Sequence, residues 1–91
     1  LSIGSYSSND TQIILTNYGK NAITVKRITV NGLTVYLGNT LTIEAGGTGV
    51  VFPPFLPSVA SNRAVNIRVD YIAVDASVKL NENVILTYTA V

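Results

Sequence analysis

The sequence predicts an all-β protein, an antiparallel β-sandwich of seven to nine strands, and three observations carry this prediction. Apolar residues recur at every second position, most clearly in the stretch 65–71, and no run of apolar residues has helical spacing. β-Branched residues, which favour strands, occur along the whole chain. Turn signals rich in Gly and Asn divide the sequence at close intervals. Short strands that follow one another in this way are typical of sandwiches and barrels.

The individual strands lie between these turn signals. Asn31-Gly32 is the clearest signal, because both residue types tolerate the positive φ that a tight hairpin turn requires. Further turn signals lie at 17–21, 38–39, 46–49 and 81–83. The strands are therefore predicted at 2–7, 11–16, 22–30, 33–37, 40–44, 48–52, 64–74, 76–80 and 84–90.

The third predicted strand breaks its own alternation. Odd-numbered apolar residues up to Val25 give way to even-numbered ones from Ile28 onward, with Lys26 and Arg27 between them. A β-bulge adds one residue to a strand and sends the residues after it to the opposite face. We therefore predict a bulge at Lys26-Arg27 and a second phase change at 71–72. Both are expected either to curve the sheet or to prepare a surface for a partner.

The amino-acid composition excludes several classes of function. The 91 residues make one domain, 1–91, with 12% charged residues, a net charge of +1 and six scattered basic residues. This distribution contains no cluster of basic residues of the kind that binds nucleic acid. The chain has no Cys, His, Met or Trp, and its low charge and many Ser, Thr, Asn, Tyr and Gly residues resemble cell-surface proteins. The longest uncharged stretch, 45–62, is too polar and proline-rich to span a membrane.

No catalytic constellation is visible in the sequence. Without His or Cys, the usual general base and the usual activated nucleophiles are missing. The acidic residues lie far apart, so we expect no metal site, and the glycine-rich stretch 44–49 lacks the lysine of a phosphate-binding loop. We therefore expect a protein that is not an enzyme and has no cofactor. The acidic residues are Asp10, Glu44, Asp70, Asp75 and Glu82.

An apolar, proline-rich segment begins at the end of the sixth predicted strand and is the main candidate site. Its prolines remove backbone donors and exclude it from a central strand, and it holds both phenylalanines of the chain. Two interpretations stay open: the phenylalanines plug the open end of the sandwich, or they form an exposed patch that binds another protein or a second copy. The candidate interface residues are Val51, Phe52, Pro53, Pro54, Phe55 and Leu56.

Two features relate to carbohydrate. Asn9-Asp10-Thr11 is an N-glycosylation sequon in a loop-like stretch, which makes Asn9 a candidate glycosylation site. The tyrosines either form a sugar-binding platform or pack across a sheet as ordinary strand residues. They lie at positions 6, 18, 36, 71 and 88.

Two stretches also resemble a known family. Residues 12–32 contain a strand, the motif Asn17-Tyr18-Gly19, a polar turn and a second strand that ends in Asn31-Gly32. Residues 41–47 read Leu-Thr-Ile-Glu-Ala-Gly-Gly and match a glycine loop before the next strand. In these motifs the chain resembles the globular domains of archaeal type IV pilin-like proteins, which include archaellins, adhesion pilins and the F- and G-type accessory proteins of the archaellum.

The resemblance implies an immunoglobulin-like sandwich at the cell surface, in the pseudoperiplasmic space, that works by assembly. Its partners would be copies of itself, archaellum accessory subunits or surface-layer protein, and an accessory or anchoring component is our preferred interpretation. Members of the family carry an N-terminal hydrophobic helix, which is not part of this sequence. The chain would therefore be a soluble ectodomain, and the intact protein would contact the membrane only through that helix. Two alternatives are a carbohydrate-binding or adhesive module and a structural appendage of a larger enzyme or viral coat.

Overall fold

The computed structural model describes residues 1–60, 62–74 and 81–89, except the side chains of residues 81 and 82. This part of the chain forms seven strands. It contains no helix that is long and apolar enough to cross a membrane. The strands are β1 (Ser2–Ser7), β2 (Gln12–Thr16), β3 (Ile23–Val30), β4 (Leu33–Ile43), β5 (Thr48–Val51), β6 (Ala64–Ala73) and β7 (Asn81–Thr89).

The strands form two antiparallel sheets that enclose one core, so the predicted β-sandwich is confirmed. One sheet has the order β1-β2-β5 and the other the order β4-β3-β6-β7. Alternate residues of the strands point inward, and the fully buried side chains come from both sheets. They include Ile13 and Leu15 in β2, Val25, Ile28 and Val30 in β3, Ile43 in β4, and Val65, Ile67 and Val69 in β6.

The predicted bulge in β3 is confirmed. Val25 pairs with Tyr71 of β6 and Arg27 pairs with Asp70, so Lys26 is the extra residue. The idea that the strand changes faces is wrong, however. Val25 and Ile28 are both fully buried in the same core, because the extra residue compensates for the change from odd to even positions.

Two other predictions about the strands need correction. The predicted strands 33–37 and 40–44 are one strand, β4, in which 38–40 face the bulge of β3 outside the regular ladder. The predicted phase change at 71–72 is wrong, because β6 stays in register with both of its neighbours there, Tyr71 packs against the core, and Ile72 lines a surface depression together with Asp70. The predicted strand 76–80 lies outside the described residues.

The turns follow the chemistry of their residues. Asn31 and Gly32 both have positive φ, 47° and 86°, as a two-residue hairpin turn between β3 and β4 requires. Asn31 also holds β6 in place, since its side-chain oxygen accepts a hydrogen bond from the backbone N–H of Asn66 at 3.0 Å. The Asn-Gly prediction is therefore confirmed.

A buried asparagine joins two turns at one end of the sandwich. Asn17, which follows β2, is the one buried polar side chain among the described residues. Its backbone N–H donates to the oxygen of Gly47, and its own backbone oxygen accepts from Gly46. The β2–β3 turn is thereby fixed to the β4–β5 turn.

Candidate interaction site

The apolar segment, residues 51–56, continues from β5, an edge strand of the three-stranded sheet. It keeps the alternation of an extended strand as far as Pro54, after the ladder has ended. Val51 and Pro53 are buried, whereas Phe52 between them is 70% exposed. Pro54 and Phe55 are exposed as well, Phe55 to 46%. The segment therefore presents both phenylalanines of the chain to solvent.

The interpretation that the phenylalanines plug the sandwich is wrong. Leu56 is buried in the core cluster instead, and Val59 packs partly buried against it. For Phe52 the reason is the period of two, because Val51 and Pro53 on either side of it point inward; the alternation then ends, with Pro54 and Phe55 both exposed and Leu56 buried. Smaller aliphatic side chains thus close this end of the core and leave the aromatic rings outside.

A hydrogen bond to Pro57, the residue directly after the segment, fixes this end of it to the opposite edge of the sheet. The hydroxyl of Tyr6 in β1 donates to the backbone oxygen of Pro57 at 2.5 Å. Because β2 lies between β1 and β5, the connection from β5 crosses the width of the three-stranded sheet. Burial raises the pKa of the Tyr6 phenol above its ordinary value of 10.0. The segment is held at both ends rather than left as a free loop.

A shallow depression of about 210 Å³ lies beside Phe52, where β4 of one sheet approaches β5 of the other. Its lining is mainly apolar: Tyr36, Thr40, Leu41, Val50, Val51 and Phe52. Val50, two residues before Phe52, is exposed, and Tyr36 and Leu41 are partly buried against the core. The candidate surface thus extends from the apolar segment onto the seam between the two sheets.

The tyrosines do not form one platform. Tyr36, Tyr71 and Tyr88 pack partly buried against the core, and the rings of Tyr6 and Tyr88 lie 6.3 Å apart between β1 and β7. Tyr18 is 75% exposed in the β2–β3 turn. The structure therefore supports the packing interpretation for four of the five tyrosines.

The sequon lies in the turn between β1 and β2. Asn9 is exposed there, and the neighbouring Asp10 is fixed by Ser7, whose hydroxyl donates to its carboxylate at 3.1 Å. Because Val51 pairs with Ile13 near the start of β2, this turn and Phe52 lie at the same end of the three-stranded sheet. A glycan on Asn9 would be attached near the candidate interface.

The acidic residues are not brought together within the described part of the chain. No group of three or more His, Cys, Asp or Glu residues there is arranged to hold a metal ion. Asp70 accepts from Arg68 of the same strand, with 3.2 Å between Nε and Oδ1. Asp75 lies outside the described residues, as does the side chain of Glu82.

Sequence reasoning missed a second surface. The basic residues look scattered along the chain, but Lys26, Arg27 and Arg68 line one depression on the outer face of the four-stranded sheet. The bulge at 26–27 was visible in the sequence, whereas the pairing of β3 with β6 was not. That pairing is what brings Arg68 next to the bulge.

Comparison with protein-family models, with curated proteins and with solved structures gives no match for this chain.

Proposed function

We propose that the chain is a non-enzymatic structural and interaction domain of an archaeal cell-surface filament, an archaellum or a type IV pilus. In this proposal it acts outside the cell, either by self-association or by binding surface-layer or accessory proteins. The observation that carries the proposal is the exposure of Phe52 and Phe55 on a segment fixed at both ends. The family motifs in 12–32 and 41–47 add the cellular context.

Two exposed phenylalanines on a small domain favour a protein partner. A single exposed apolar residue is ordinary, but an apolar patch with a polar rim is typical of a binding surface. Phe52 lies beside exposed Val50 and the depression at the sheet seam. Burying one such ring contributes about 1.5–3 kcal/mol. Two rings therefore contribute at most about 3–6 kcal/mol, which can anchor a contact between proteins but needs further buried surface around it to offset the cost of association.

The prolines make this surface suitable for binding. Pro53, Pro54 and Pro57 fix their own φ angles and hold the residues before them in extended conformations. A segment that is already ordered loses little conformational entropy when it binds. The prolines and the Tyr6 hydrogen bond therefore support a preformed contact surface.

The strand order supports the finer assignment to an immunoglobulin-like topology. The first, second and fifth strands share one sheet, and the third, sixth and seventh share the other. In immunoglobulin-like sandwiches the A, B and E strands lie opposite C, F and G. Here β4 is added beside β3. This supports the fold that the family resemblance implies.

The alternative of a carbohydrate-binding module lacks a comparable observation in its favour. It needs several aromatic rings on one exposed face, and four of the five tyrosines pack partly buried against the core. The fifth, Tyr18, lies at the other end of β2 from Phe52, since Thr16 pairs with Thr48 and Ile13 with Val51. We therefore favour a protein partner.

The test compares wild-type domain with the double variant Phe52→Ser, Phe55→Ser. Sedimentation velocity measures self-association, and a pull-down with isolated archaeal surface-layer sheets measures binding to the envelope. We expect at least one of the two associations, and at least about tenfold weaker association in the double variant. Tyr18→Ser is the matched control, because it removes an exposed aromatic ring at the far end of the sheet.

Two outcomes would contradict the proposal. One is a wild-type domain that stays monomeric at millimolar concentration and is not retained on the sheets. The other is a double variant that associates as tightly as Tyr18→Ser. Thermal unfolding of each variant checks that the fold is intact, which we expect because neither ring belongs to the buried core cluster.

A further inference from the structure

The outer face of the four-stranded sheet differs from the three-stranded sheet in its charge. Strands β1, β2 and β5 contain no charged residue at all. On the four-stranded sheet, Lys26, Arg27, Arg68 and Asp70 line a single depression of about 540 Å³. Three cations therefore lie together with one carboxylate on one side of the domain.

The bulge is the reason that the side chains of Lys26 and Arg27 lie on the same face of the sheet. In a regular strand neighbouring residues point to opposite faces, so Lys26 or Arg27 would point into the core. Because Lys26 is the extra residue of the bulge, both side chains line the depression while Val25 and Ile28 are buried. Bulges commonly redirect side chains in this way near functional surfaces.

Arg27 is available to a partner. The one salt bridge among the described residues joins Arg68 to Asp70, and neither Lys26 nor Arg27 takes part in an ion pair there. Arg27 lies opposite Asp70 in the ladder, and it lines both the 540 Å³ depression and a second one of about 420 Å³. An acidic group that binds Arg27 would therefore displace no ion-pair partner among the described residues.

Exposed aliphatic residues flank the arginines. Leu37 in β4 is 71% exposed and pairs with Arg27, and Ile85 in β7 is 66% exposed and pairs with Arg68. The face therefore has arginines on its two central strands and an exposed aliphatic side chain on each edge strand. We define the cationic face as Lys26, Arg27, Leu37, Arg68, Asp70 and Ile85.

We propose that the cationic face is a second docking surface, separate from the apolar segment, for an acidic protein segment with apolar residues beside its carboxylates. Guanidinium groups bind carboxylates in a bidentate manner, and arginine is enriched in protein interfaces. Leu37 and Ile85 favour a protein over an anionic polysaccharide, because they offer apolar contacts that sulfate and hydroxyl groups cannot use. The described tyrosines of these strands pack toward the core, so the face offers no aromatic ring for a sugar.

The experiment uses the whole domain and a synthetic peptide of about ten residues in which glutamate and valine alternate. Calorimetry or fluorescence anisotropy at low salt measures its dissociation constant, because added salt screens exposed charges. A peptide with lysine in place of glutamate and a heparin fragment are the comparison ligands. We expect the acidic peptide to bind at least about tenfold more tightly than the lysine peptide.

The variants separate a local contact from general charge. Arg27→Ala should weaken binding of the acidic peptide by about tenfold, and Leu37→Ser by about threefold. Lys20→Ala is the matched control, because it removes one positive charge from the exposed β2–β3 turn and should leave binding nearly unchanged. Phe52→Ser should also leave it unchanged, which distinguishes this surface from the apolar segment.

Three results would overturn the proposal. The first is an acidic peptide bound no better than the lysine peptide. The second is an equal loss of affinity in Arg27→Ala and Lys20→Ala, which would show attraction by net charge alone. The third is heparin bound more tightly than the peptide with Leu37→Ser unaffected, which would assign the face to a polysaccharide.

Discussion

The side-chain amide of Asn17 donates a hydrogen bond to the backbone oxygen of Ile43, 26 residues further along the chain, at 3.2 Å. The same nitrogen lies 2.8 Å from the oxygen of Asn21 and 3.3 Å from that of Glu44. Its side-chain oxygen accepts from the N–H of Gly19 at 2.9 Å. One buried side chain thus forms hydrogen bonds with the backbone of its own turn and with the backbone at the end of β4.

Replacing Asn17 with alanine should therefore destabilise the domain strongly. The change leaves several partly buried backbone groups without their partner, and we expect it to cost about 2–4 kcal/mol of unfolding free energy. Chemical denaturation followed by circular dichroism measures the change. Asn39→Ala, at an exposed position in β4, is the control and should change the stability by less than about 0.5 kcal/mol. Equal stability of the two variants would contradict this role for Asn17.

The role of Asn17 marks the limit of what the sequence predicts locally. Asn17-Tyr18-Gly19 was recognisable as a turn, because asparagine and glycine favour turns. Its partners at 43–44 belong to the next hairpin along the chain, and only the packing of the two sheets brings them within reach. Local propensity contains no information about such a contact.

The alternation of apolar residues along the strands predicted more of the fold than the turn residues did, and the bulge at Lys26 is the clearest example. Its position followed from the change of parity between Val25 and Ile28. The orientation of Phe52 did not follow in the same way. It depends on which face of β5 meets the core, and the apolar pattern 50–52 fits both choices. The cationic face was missed because its residues lie on strands that are far apart in sequence.

Deleting Lys26 should abolish the native fold. Without the extra residue, Ile28 and Val30 would point outward, and Arg27 and Thr29 would point into the core. Each buried aliphatic side chain contributes about 1.5–3 kcal/mol, and an unpaired buried charge costs more. The total approaches the whole stability of a typical domain, about 5–15 kcal/mol. We expect no cooperative thermal unfolding transition in the deletion variant.

Lys26→Ala is the matched control for that deletion. It removes the same side chain but keeps the number of residues, so the bulge and the inward positions of Ile28 and Val30 are preserved. Its stability should stay within about 0.5 kcal/mol of the wild type. A deletion variant that unfolds cooperatively near the wild-type midpoint would show that the register does not depend on the extra residue.

Gly49 in β5 has no space for a side chain. A Cβ atom there would lie 2.6 Å from Cγ1 of Ile43 and 2.7 Å from Cδ1, and Ile43 is buried in the core. Gly49→Ala should therefore cost about 1–3 kcal/mol by overpacking. In a double-mutant cycle with Ile43→Ala, which removes both atoms, the combined loss should be smaller than the sum of the single losses. Additive losses in the denaturation experiments would contradict the predicted clash.

Tyr6→Phe should weaken the attachment of the proline-rich segment. The change leaves the ring against Tyr88 but removes the hydroxyl that donates to Pro57. We expect a loss of about 1 kcal/mol in unfolding free energy near neutral pH. Limited proteolysis should also cleave the 52–63 connection faster than in the wild type. Unchanged stability together with unchanged proteolysis would contradict a fixing role for this hydrogen bond.

The contribution of Tyr6 should also depend on pH, because burial raises its pKa in the folded state above the ordinary value of 10.0. The folded protein then holds the phenol proton at a pH where the unfolded chain has lost it. The resulting stabilisation is fully present below about pH 10 and is lost as the pH rises through the folded-state pKa. Denaturation curves from about pH 8 to 11 should therefore show the wild type losing stability faster than Tyr6→Phe. Tyr18→Phe, which changes an exposed ring, is the control and should follow the wild type. If the difference between wild type and Tyr6→Phe stays constant over this range, ionisation of Tyr6 is not linked to folding.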